Sequence, residues 1–223
     1  MNNRVVVITG ATGGLGQFVT RAFAEQGASL ALLSTNQDTL DALASDLHLS
    51  SDKVLTHAVN LLDTDAVQTA AKAVSAKFGR VDILIHLIGG WVGGRTIAEA
   101  EVDDFKFMLD QHAWTTIHLL HAFSPKLASN GWGRVIAVSS PSATKPSAKS
   151  GPYAAGKAAQ ETLVLSLADE FKGTDVTANV IQVSYIDVKN TGKGTSPAEI
   201  IAAMLYLCSD EAGKVNGVRL PLF

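Results

Sequence analysis

The chain has 223 residues, of which 47% are hydrophobic, and its formal net charge is −3 at pH 7. This length and composition suit one domain with a large buried core. The slightly acidic balance and the absence of a Lys/Arg cluster argue against a surface that binds nucleic acid or an anionic membrane.

The N-terminal segment has only a short apolar run before its first turn glycines, which is not the pattern of a signal peptide or a membrane span. The single cysteine, Cys208, excludes an intrachain disulfide and a cysteine zinc cluster, and it fits a reducing compartment. We therefore expect a cytoplasmic protein.

Short apolar, β-branched runs alternate along the chain with segments of helical periodicity. The apolar runs predict strands at Val5–Thr9, Leu30–Leu33, Val54–Val59, Ile83–Ile88, Val135–Val138 and Ala178–Val183, with a short seventh strand near Val218–Leu220. The segments between them predict helices at Leu15–Gln26, Thr39–Leu47, Thr64–Phe78, Val102–Ala128, Tyr153–Phe171 and Pro197–Cys208. This order predicts an α/β fold in which a parallel sheet is buried by helices on both faces.

No linker, repeat or charge block divides the chain, so we predict a single domain over residues 1–223. The least regular stretch is Ser184–Ser196, which is rich in lysine, glycine and polar residues. We expect this stretch to be a mobile loop.

A glycine cluster, TGATGGLG at 9–16, occupies the first turn from strand to helix. Gly10 suits a tight turn, Gly14 lets the backbone approach a phosphate, and Gly16 allows the helix and the strand to pack closely. The exposed amides and partial positive charge of the helix N-terminus favour a pyrophosphate at this point. The spacing is TGxxxGxG rather than GxGxxG, and the alternative of turn chemistry alone is disfavoured by the position after the first strand.

A second constellation, SGPYAAGK at 150–157, places Tyr153 and Lys157 four residues apart on one helix face. An ammonium beside a phenol favours the phenolate and lowers its pKa, which would make the tyrosine a usable acid and base. Ser139 and Ser140 end the preceding strand, where a hydroxyl can reach a substrate carbonyl. Taken singly, the tyrosine and lysine could be a surface pair and the serine a turn cap.

The segments TGATGGLG, VSS at 138–140 and YAAGK at 153–157 together resemble the short-chain dehydrogenase/reductase family, and the resemblance covers essentially the whole chain. It implies a Rossmann-like, doubly wound sheet of seven strands, a nicotinamide cofactor, and hydride transfer between C4 of the nicotinamide and a carbonyl or carbinol carbon. It also implies that Tyr153 is the general acid/base, that Lys157 lowers its pKa and binds the nicotinamide ribose, and that Ser140 orients the carbonyl. Ser139 is the second choice for that last role.

The sequence departs from the family pattern at several positions. His86-Leu87-Ile88-Gly89 stands where the family usually has Asn-Asn-Ala-Gly, and Asn60 and Val183-Ser184 replace an Asp and a Pro-Gly. His112 corresponds to the active-site asparagine of the family, whose backbone carbonyl helps to hold a water beside the lysine. We predict that His112 is catalytic and either keeps that function or adds a titratable group.

Ser34-Thr35-Asn36 follows the second strand and contains no carboxylate for the 2′-hydroxyl of NAD, so the sequence favours NADP, with NAD possible. No Arg or Lys is present there to pair with a 2′-phosphate. The predicted cofactor-binding residues are Gly10, Thr12, Gly13, Gly14, Leu15, Gly16, Ser34, Thr35, Asn36, Asn60, Leu61, Ile88, Gly89, Tyr153, Lys157 and Ile186.

GGWVGG at 89–94 predicts a flexible bend that carries Trp91 toward the substrate, with local packing of Trp91 as the alternative. The predicted substrate contacts are Trp91, Ser140 and Tyr185. A carbonyl or alcohol substrate is favoured. One alternative is a quinonoid pterin substrate, because this segment, the short loop Ser184–Ser196 and the tail ending in Phe223 resemble those of dihydropteridine reductases. The other is a non-catalytic dinucleotide sensor.

No metal is predicted, because His118 and His121 lack a third ligand on their helix face. A homodimer or homotetramer is predicted from small and apolar residues that could pack between subunits, with packing on the protein's own sheet as the alternative. These residues are Ala154, Ala155, Ala158, Ala159, Leu163 and Leu167.

Overall fold

The computed structural model describes all 223 residues and contains one sheet of seven strands. Every strand pairs in parallel with its neighbours, in the order β3-β2-β1-β4-β5-β6-β7. The strands are β1 (Val5–Thr9), β2 (Ser29–Ser34), β3 (Val54–Ala58), β4 (Ile83–His86), β5 (Trp132–Ser139), β6 (Asp175–Gln182) and β7 (Arg219–Pro221). The strand order reverses between β1 and β4, which opens a crevice at their carboxyl ends.

Seven α-helices connect and cover the strands. They are α1 (Gly14–Glu25), α2 (Gln37–Asp46), α3 (Thr64–Phe78), α4 (Val102–Leu109), α5 (Thr115–Ser129), α6 (Gly151–Glu170) and α7 (Pro197–Leu207). A π-helical turn (Asp110–Trp114) joins α4 to α5, and a short 3₁₀ turn (Pro141–Ala143) follows β5. None of these helices combines the length and the apolar character needed to cross a membrane.

The core lies on both faces of the sheet, and β1 shows why its sequence is continuously apolar. Val5 and Val7 face the layer formed by α3, α5 and α6, whereas Val6 and Ile8 face the layer formed by α1, α2 and α7. Successive side chains of a strand point to opposite faces, so a strand covered on both sides has no face exposed to solvent. The predicted three-layer α/β fold is confirmed.

Most predicted elements differ from the observed ones by one to three residues at an end, and two differences bear on the site. The strand predicted at Ile83–Ile88 ends at His86, because its partner β1 ends at Thr9, directly opposite, where the chain turns at Gly10. The helix predicted at Val102–Ala128 is interrupted by the π-helical turn, which no feature of the apolar pattern signals.

The segment 184–196 is a closed loop rather than an irregular one. Asp187 is almost fully buried, and its carboxylate accepts hydrogen bonds from the backbone amides of Thr191, Gly192 and Lys193 at 2.7–3.2 Å and from the Thr191 hydroxyl at 3.0 Å. A parallel bridge between Ile186 and Thr195 closes the loop at its base. The expected loop is present, but a buried carboxylate organises it.

The residues proposed for subunit packing fall into two groups. Ala154 and Leu167 are buried within the chain's own structure. Ala155 is exposed, while Ala158, Ala159 and Leu163 are half-buried. The alternative of packing on the protein's own sheet holds for Leu167, which is part of the core beside the sheet.

Candidate active site

A cavity of about 590 Å³ opens at the carboxyl ends of the central strands. The predicted site residues on its wall are Leu15, Ile88, Gly89, Trp91, Tyr153, Lys157, Tyr185 and Ile186. The structure therefore brings together Leu15 at the start of α1, both predicted aromatic substrate contacts and the Tyr-Lys pair, whereas Ser140 and His112 are not on this wall.

The glycine turn leads directly into helix α1. Gly10 has φ +67°, which favours glycine, and a Cβ on Gly16 would collide with the carbonyl oxygens of Gly10 and Ala11. Gly13 is the N-cap, and no side chain caps the helix. The first-turn amides are therefore available to an anion, and they fit a pyrophosphate.

The polar residues after β2 have partly different roles from those predicted. The Thr12 and Ser34 hydroxyls are joined by a hydrogen bond of 2.7 Å, which links the glycine turn to the end of β2. The Asn36 side-chain oxygen caps α2 by accepting from the Thr39 amide at 2.9 Å, so it is committed to that helix. A 2′-phosphate would find hydroxyls and no carboxylate among Ser34, Thr35 and Asn36.

A smaller cavity of about 110 Å³ lies beside the end of β2. Five predicted cofactor residues line it: Ser34, Thr35, Asn60, Leu61 and Ile88. The Asn60 side-chain oxygen accepts from the Leu62 amide at 3.0 Å, which fixes its amide group. Gln111 and Thr115, on the π-helical turn and α5, also line this cavity and were not predicted, because helices distant in sequence bring them there.

Lys157 is buried in the first half of α6, with only 5% of its surface exposed. Its Nζ donates to the Val138 carbonyl oxygen of β5 at 2.9 Å and to Gln160 Oε1 at 2.8 Å. Burial lowers the pKa of the Lys157 ammonium to about 7, and Glu161 acts in the opposite direction. The lysine is thus a buried cation whose direct hydrogen-bond partners within the protein are neutral oxygens.

Tyr153 lies one helical turn before Lys157 and lines the same cavity. Burial raises the pKa of the Tyr153 phenol, and the hydroxyl of Ser140 acts in the opposite direction. The sequence predicted that Lys157 would lower this pKa, but in this structure the ammonium faces Val138 and Gln160. The phenol is therefore protonated at neutral pH.

The two serines at the end of β5 differ in their surroundings. Ser140 lies beside the Tyr153 phenol, and its Oγ accepts from the Ser142 amide at 3.2 Å. Ser139 lines the cavity, but its buried Oγ makes no hydrogen bond with another protein atom. Proximity to the phenol supports Ser140, the first choice, as the partner of Tyr153.

His112 lies in the π-helical turn, fully buried against Tyr153, with the two ring centroids 5.6 Å apart in an edge-to-face arrangement. Its Nε2 lies 3.1 Å from the Gly90 carbonyl oxygen, and this oxygen can only accept, so Nε2 carries the proton. Nδ1 is buried and makes no hydrogen bond with the protein. Burial and the neighbouring Lys157 lower the pKa of His112 to about 3, so the ring is neutral.

The backbone carbonyl of His112 is also occupied. It accepts a hydrogen bond from the Thr116 hydroxyl at 2.6 Å, within the helical path that continues into α5. In this structure the carbonyl that the family pattern assigns to a water is therefore already paired with a side chain.

His86 is a second buried histidine beside Lys157. Its Nδ1 lies 2.8 Å from the Thr9 hydroxyl, and its Nε2 lies 3.5 Å from the Thr115 hydroxyl. Burial, followed by the charge of Lys157, lowers the pKa of His86 to about 3. The departure from the family pattern at this position thus places a neutral ring between β1 and α5.

Trp91 and Tyr185 lie on the cavity wall with 64% and 58% of their surfaces exposed. Trp91 is not part of a local core, although its indole lies against Gly93. The exposed faces of both rings are therefore available to a ligand.

His118 and His121 do not form a metal site. His118 Nδ1 bonds the Leu61 carbonyl oxygen at 2.7 Å, and its ring lies 6.1 Å from that of Trp114. No group of three or more His, Cys, Asp or Glu side chains is arranged to hold a metal ion.

Comparisons with known proteins agree with this geometry. A sequence model described as short chain dehydrogenase matches residues 4–198. D-threitol dehydrogenase of Mycolicibacterium smegmatis is 28% identical, over 99% of this chain and 91% of its own length. A short chain dehydrogenase of Pseudocercospora fijiensis is 31% identical, over 84% of this chain and 61% of its own length.

Solved structures share the fold at lower identity. An NAD⁺-bound xylitol dehydrogenase superposes with a TM-score of 0.91 at 21% identity, covering 99% of this chain and 98% of that one. The 3-ketoacyl-(acyl-carrier-protein) reductase of Brucella melitensis, in complex with NADH, gives 0.90 at 22% identity, covering 99% and 97%. The sheet order, the open glycine turn, the Tyr-Lys pair on α6 and the family match over most of the chain lead to one conclusion: this chain belongs to the short-chain dehydrogenase/reductase family of oxidoreductases.

Proposed function

We propose that this protein is an NAD(P)-dependent reductase or dehydrogenase that transfers hydride between a nicotinamide and a carbonyl or alcohol substrate. The observation that carries the proposal is the arrangement of Tyr153 and Lys157 on the wall of one cavity, with Ser140 beside the phenol and a helix N-terminus that no side chain caps. A protonated phenol with a serine hydroxyl next to it suits a carbonyl oxygen that must gain a proton.

The residues around the cavity fit a dinucleotide. The first-turn amides of α1 would hold the pyrophosphate, Lys157 the nicotinamide ribose, and Asn60 and Leu61 the far end of the molecule. When bound, the nicotinamide supplies the hydride donor or acceptor. We favour NADP over NAD, because no carboxylate lines the small cavity beside Ser34 and Thr35 to repel a 2′-phosphate.

The chain's own residues would supply the proton that the substrate oxygen gains. In the direction of reduction, the Tyr153 phenol gives its proton to the substrate oxygen, and the Ser140 hydroxyl donates a hydrogen bond to the same oxygen. The phenol is protonated at neutral pH, as an acid must be, although burial by itself raises its pKa and makes the proton harder to release. His112 packs edge-on against the Tyr153 ring and restricts its orientation.

The cavity wall favours an uncharged substrate with a flat or apolar body. No carboxylate lines the cavity, Lys157 is its one cationic side chain, and Trp91 and Tyr185 offer aromatic faces. Two similar proteins are named D-threitol dehydrogenase and xylitol dehydrogenase, and both names denote a polyol substrate. Polyols therefore belong in the substrate panel. A quinonoid dihydropterin is the second candidate, because an exposed indole at the cavity mouth can cover a flat ring.

The test is NADPH and NADH oxidation with ketones, quinones and quinonoid dihydropterin, and the reverse reaction with polyols. For the substrate found, Tyr153→Phe should lower kcat about 10²–10⁴-fold, because it removes the acid. Tyr206→Phe, at an exposed position of α7, is the matched control and should leave kcat unchanged.

Other outcomes decide between the alternatives. Full turnover in Tyr153→Phe would contradict the mechanism, and tight NADPH binding without turnover of any substrate would favour a non-catalytic sensor. A higher kcat/KM with NADH than with NADPH would contradict the proposed cofactor preference.

A further inference from the structure

Lys157 is held by a residue outside the recognised motifs. Its ammonium has three N–H groups, of which one donates to the Val138 carbonyl oxygen and another to Gln160 Oε1. The titratable groups that act on or lie near this ammonium are His86 on β4, His112 on the π-helical turn, and Tyr153 and Glu161 on α6. Both histidines are neutral and Glu161 makes no hydrogen bond to Lys157, so Gln160 is the one side chain that accepts from it.

Gln160 is fully buried, and both ends of its amide are used. Its Oε1 faces the lysine, and its Nε2 lies 3.4 Å from the Thr116 hydroxyl, which donates to the His112 carbonyl oxygen at 2.6 Å. The assignment of oxygen and nitrogen is fixed by chemistry, since a lysine ammonium can only donate. A continuous chain of side-chain contacts therefore links α6 to the π-helical turn.

A fully buried glutamine is costly unless its polar atoms are paired, and a leucine would fill a helix face of this kind without that cost. Replacing Gln160 by an apolar residue would leave a buried N–H of Lys157 without its acceptor. The ammonium would then be free to rotate away, and the charged form would lose a hydrogen bond that favours it.

We propose that Gln160 is a positioning residue of the active site, whose side-chain oxygen fixes the Lys157 ammonium at the wall of the cofactor cavity and whose amide group ties that lysine to the turn carrying His112. The inference rests on the proposed function only in assigning Lys157 to cofactor binding. The contact itself is a property of the protein without ligand, and it can be measured separately.

The experiment compares Gln160→Leu, which removes the acceptor, with Gln160→Glu, which keeps the oxygen and adds a charge. The Lys157 resonance is followed by NMR in protein labelled with [ε-¹³C]lysine and is assigned with Lys157→Arg. We expect the lysine titration midpoint to fall by about one pH unit in Gln160→Leu and to rise by about one unit or more in Gln160→Glu. Gln68→Leu, the same change on α3, is the matched control and should leave the Lys157 titration midpoint unchanged.

Kinetics provide the second readout once a substrate is known. Gln160→Leu should lower kcat about tenfold with a smaller change in KM. Gln160→Glu should retain most of the turnover, with its pH profile displaced toward alkaline pH. If Gln160 only packs, neither variant should shift the pH profile of kcat.

The outcomes separate the two proposals. An unmoved Lys157 titration in both folded variants overturns the role of Gln160, whatever the catalytic activity of the protein. Shifted titrations in a protein that turns over no substrate support the contact and count against the proposed function. If Gln160→Leu does not fold, the shift of the Lys157 titration midpoint in Gln160→Glu decides whether Gln160 has this role.

Discussion

The active site is built around one buried cation whose neighbouring histidines are uncharged. Lys157, His86 and His112 are all nearly inaccessible to solvent, and the pKa of both histidines is lowered to about 3. Near neutral pH, only the lysine of these three groups changes its charge, since burial brings its pKa to about 7. A pH dependence of cofactor binding in this range would therefore report on Lys157.

Burial of Lys157 also predicts how folding stability depends on pH. The folded-state pKa is lowered from 10.5 to about 7, so between these values the unfolded state binds more protons and stability rises with pH. Relative to Lys157→Met, the wild-type protein should therefore gain a few kcal/mol of unfolding free energy between pH 7 and pH 10. Urea unfolding of both proteins across this range, without cofactor, measures the difference.

The control is Lys72→Met on α3, where the lysine is exposed, and this variant should follow the wild-type pH dependence. A difference between Lys157→Met and wild type that stays constant from pH 7 to pH 10 would show that the lysine is not desolvated as the structure indicates.

Trp91 is the second residue with a distinct prediction. Because its side chain is 64% exposed on the cavity wall, Trp91→Ala should raise KM for the identified substrate about tenfold. The thermal midpoint should hardly move, since little buried area is lost. Steady-state kinetics with a melting curve check both parts, and unchanged KM and kcat would mean that the indole only packs on its own loop.

Among single residues, the sequence identified those that follow a fixed spacing. Tyr153 and Lys157 were proposed because an i, i+4 pair must share a helix face. Ser139 and Ser140 were proposed because they follow the apolar run of a strand, and the family resemblance favoured Ser140. Gln160 and Thr116 follow no such rule, because their importance comes from a contact between α6 and α5. The one signal available was a glutamine three residues after the lysine, on the same side of the helix.

At the scale of elements, two local structures shape the site beyond the regular fold. The π-helical turn adds one residue to a helical turn and aims His112 at Tyr153, as such turns often do at functional sites. The loop 184–196 folds around Asp187 and places Tyr185 and Ile186 on the cavity wall.

The loop gives an element-scale prediction. Asp187→Ala removes four hydrogen bonds that close the loop, so the segment should open more often. Trypsin should cut after Lys189 or Lys193 about tenfold faster in this variant than in the wild type. Asp65→Ala, at an exposed position of α3, serves as the control. Equal cleavage rates in wild type and Asp187→Ala would show that the carboxylate does not hold the loop closed.

At the scale of the whole molecule, one sheet and two helical layers leave part of the α6 surface uncovered. Ala155 is exposed, and Ala158, Ala159 and Leu163 are half-buried. Small residues of this kind allow two helices to approach closely, which supports the proposal of a homodimer or homotetramer.

Light scattering after gel filtration tests this assembly. We expect a dimer or tetramer at micromolar concentration, and Ala155→Arg should dissociate it, because the exposed side chain would place a charge between the packed helices. Elution of the wild-type protein as a monomer would remove the proposal.

The sequence by itself determined the fold class and the order of the elements. Apolar runs with no polar face require a sheet covered on both sides, and right-handed parallel connections then leave few topologies. It also determined the glycine turn and the Tyr-Lys pair, since both follow from spacing within one element. The approximate strand ends followed from the same apolar runs.

The tertiary structure alone decided what each buried polar group faces. Desolvation and hydrogen bonding depend on neighbours that come together from distant segments. Local sequence patterns therefore do not show the neutral histidines, the ordered loop or the hydrogen bond from Lys157 to Gln160. The sequence predicted Trp91 and Tyr185 as substrate contacts separately, and only the tertiary structure shows that they share one cavity wall.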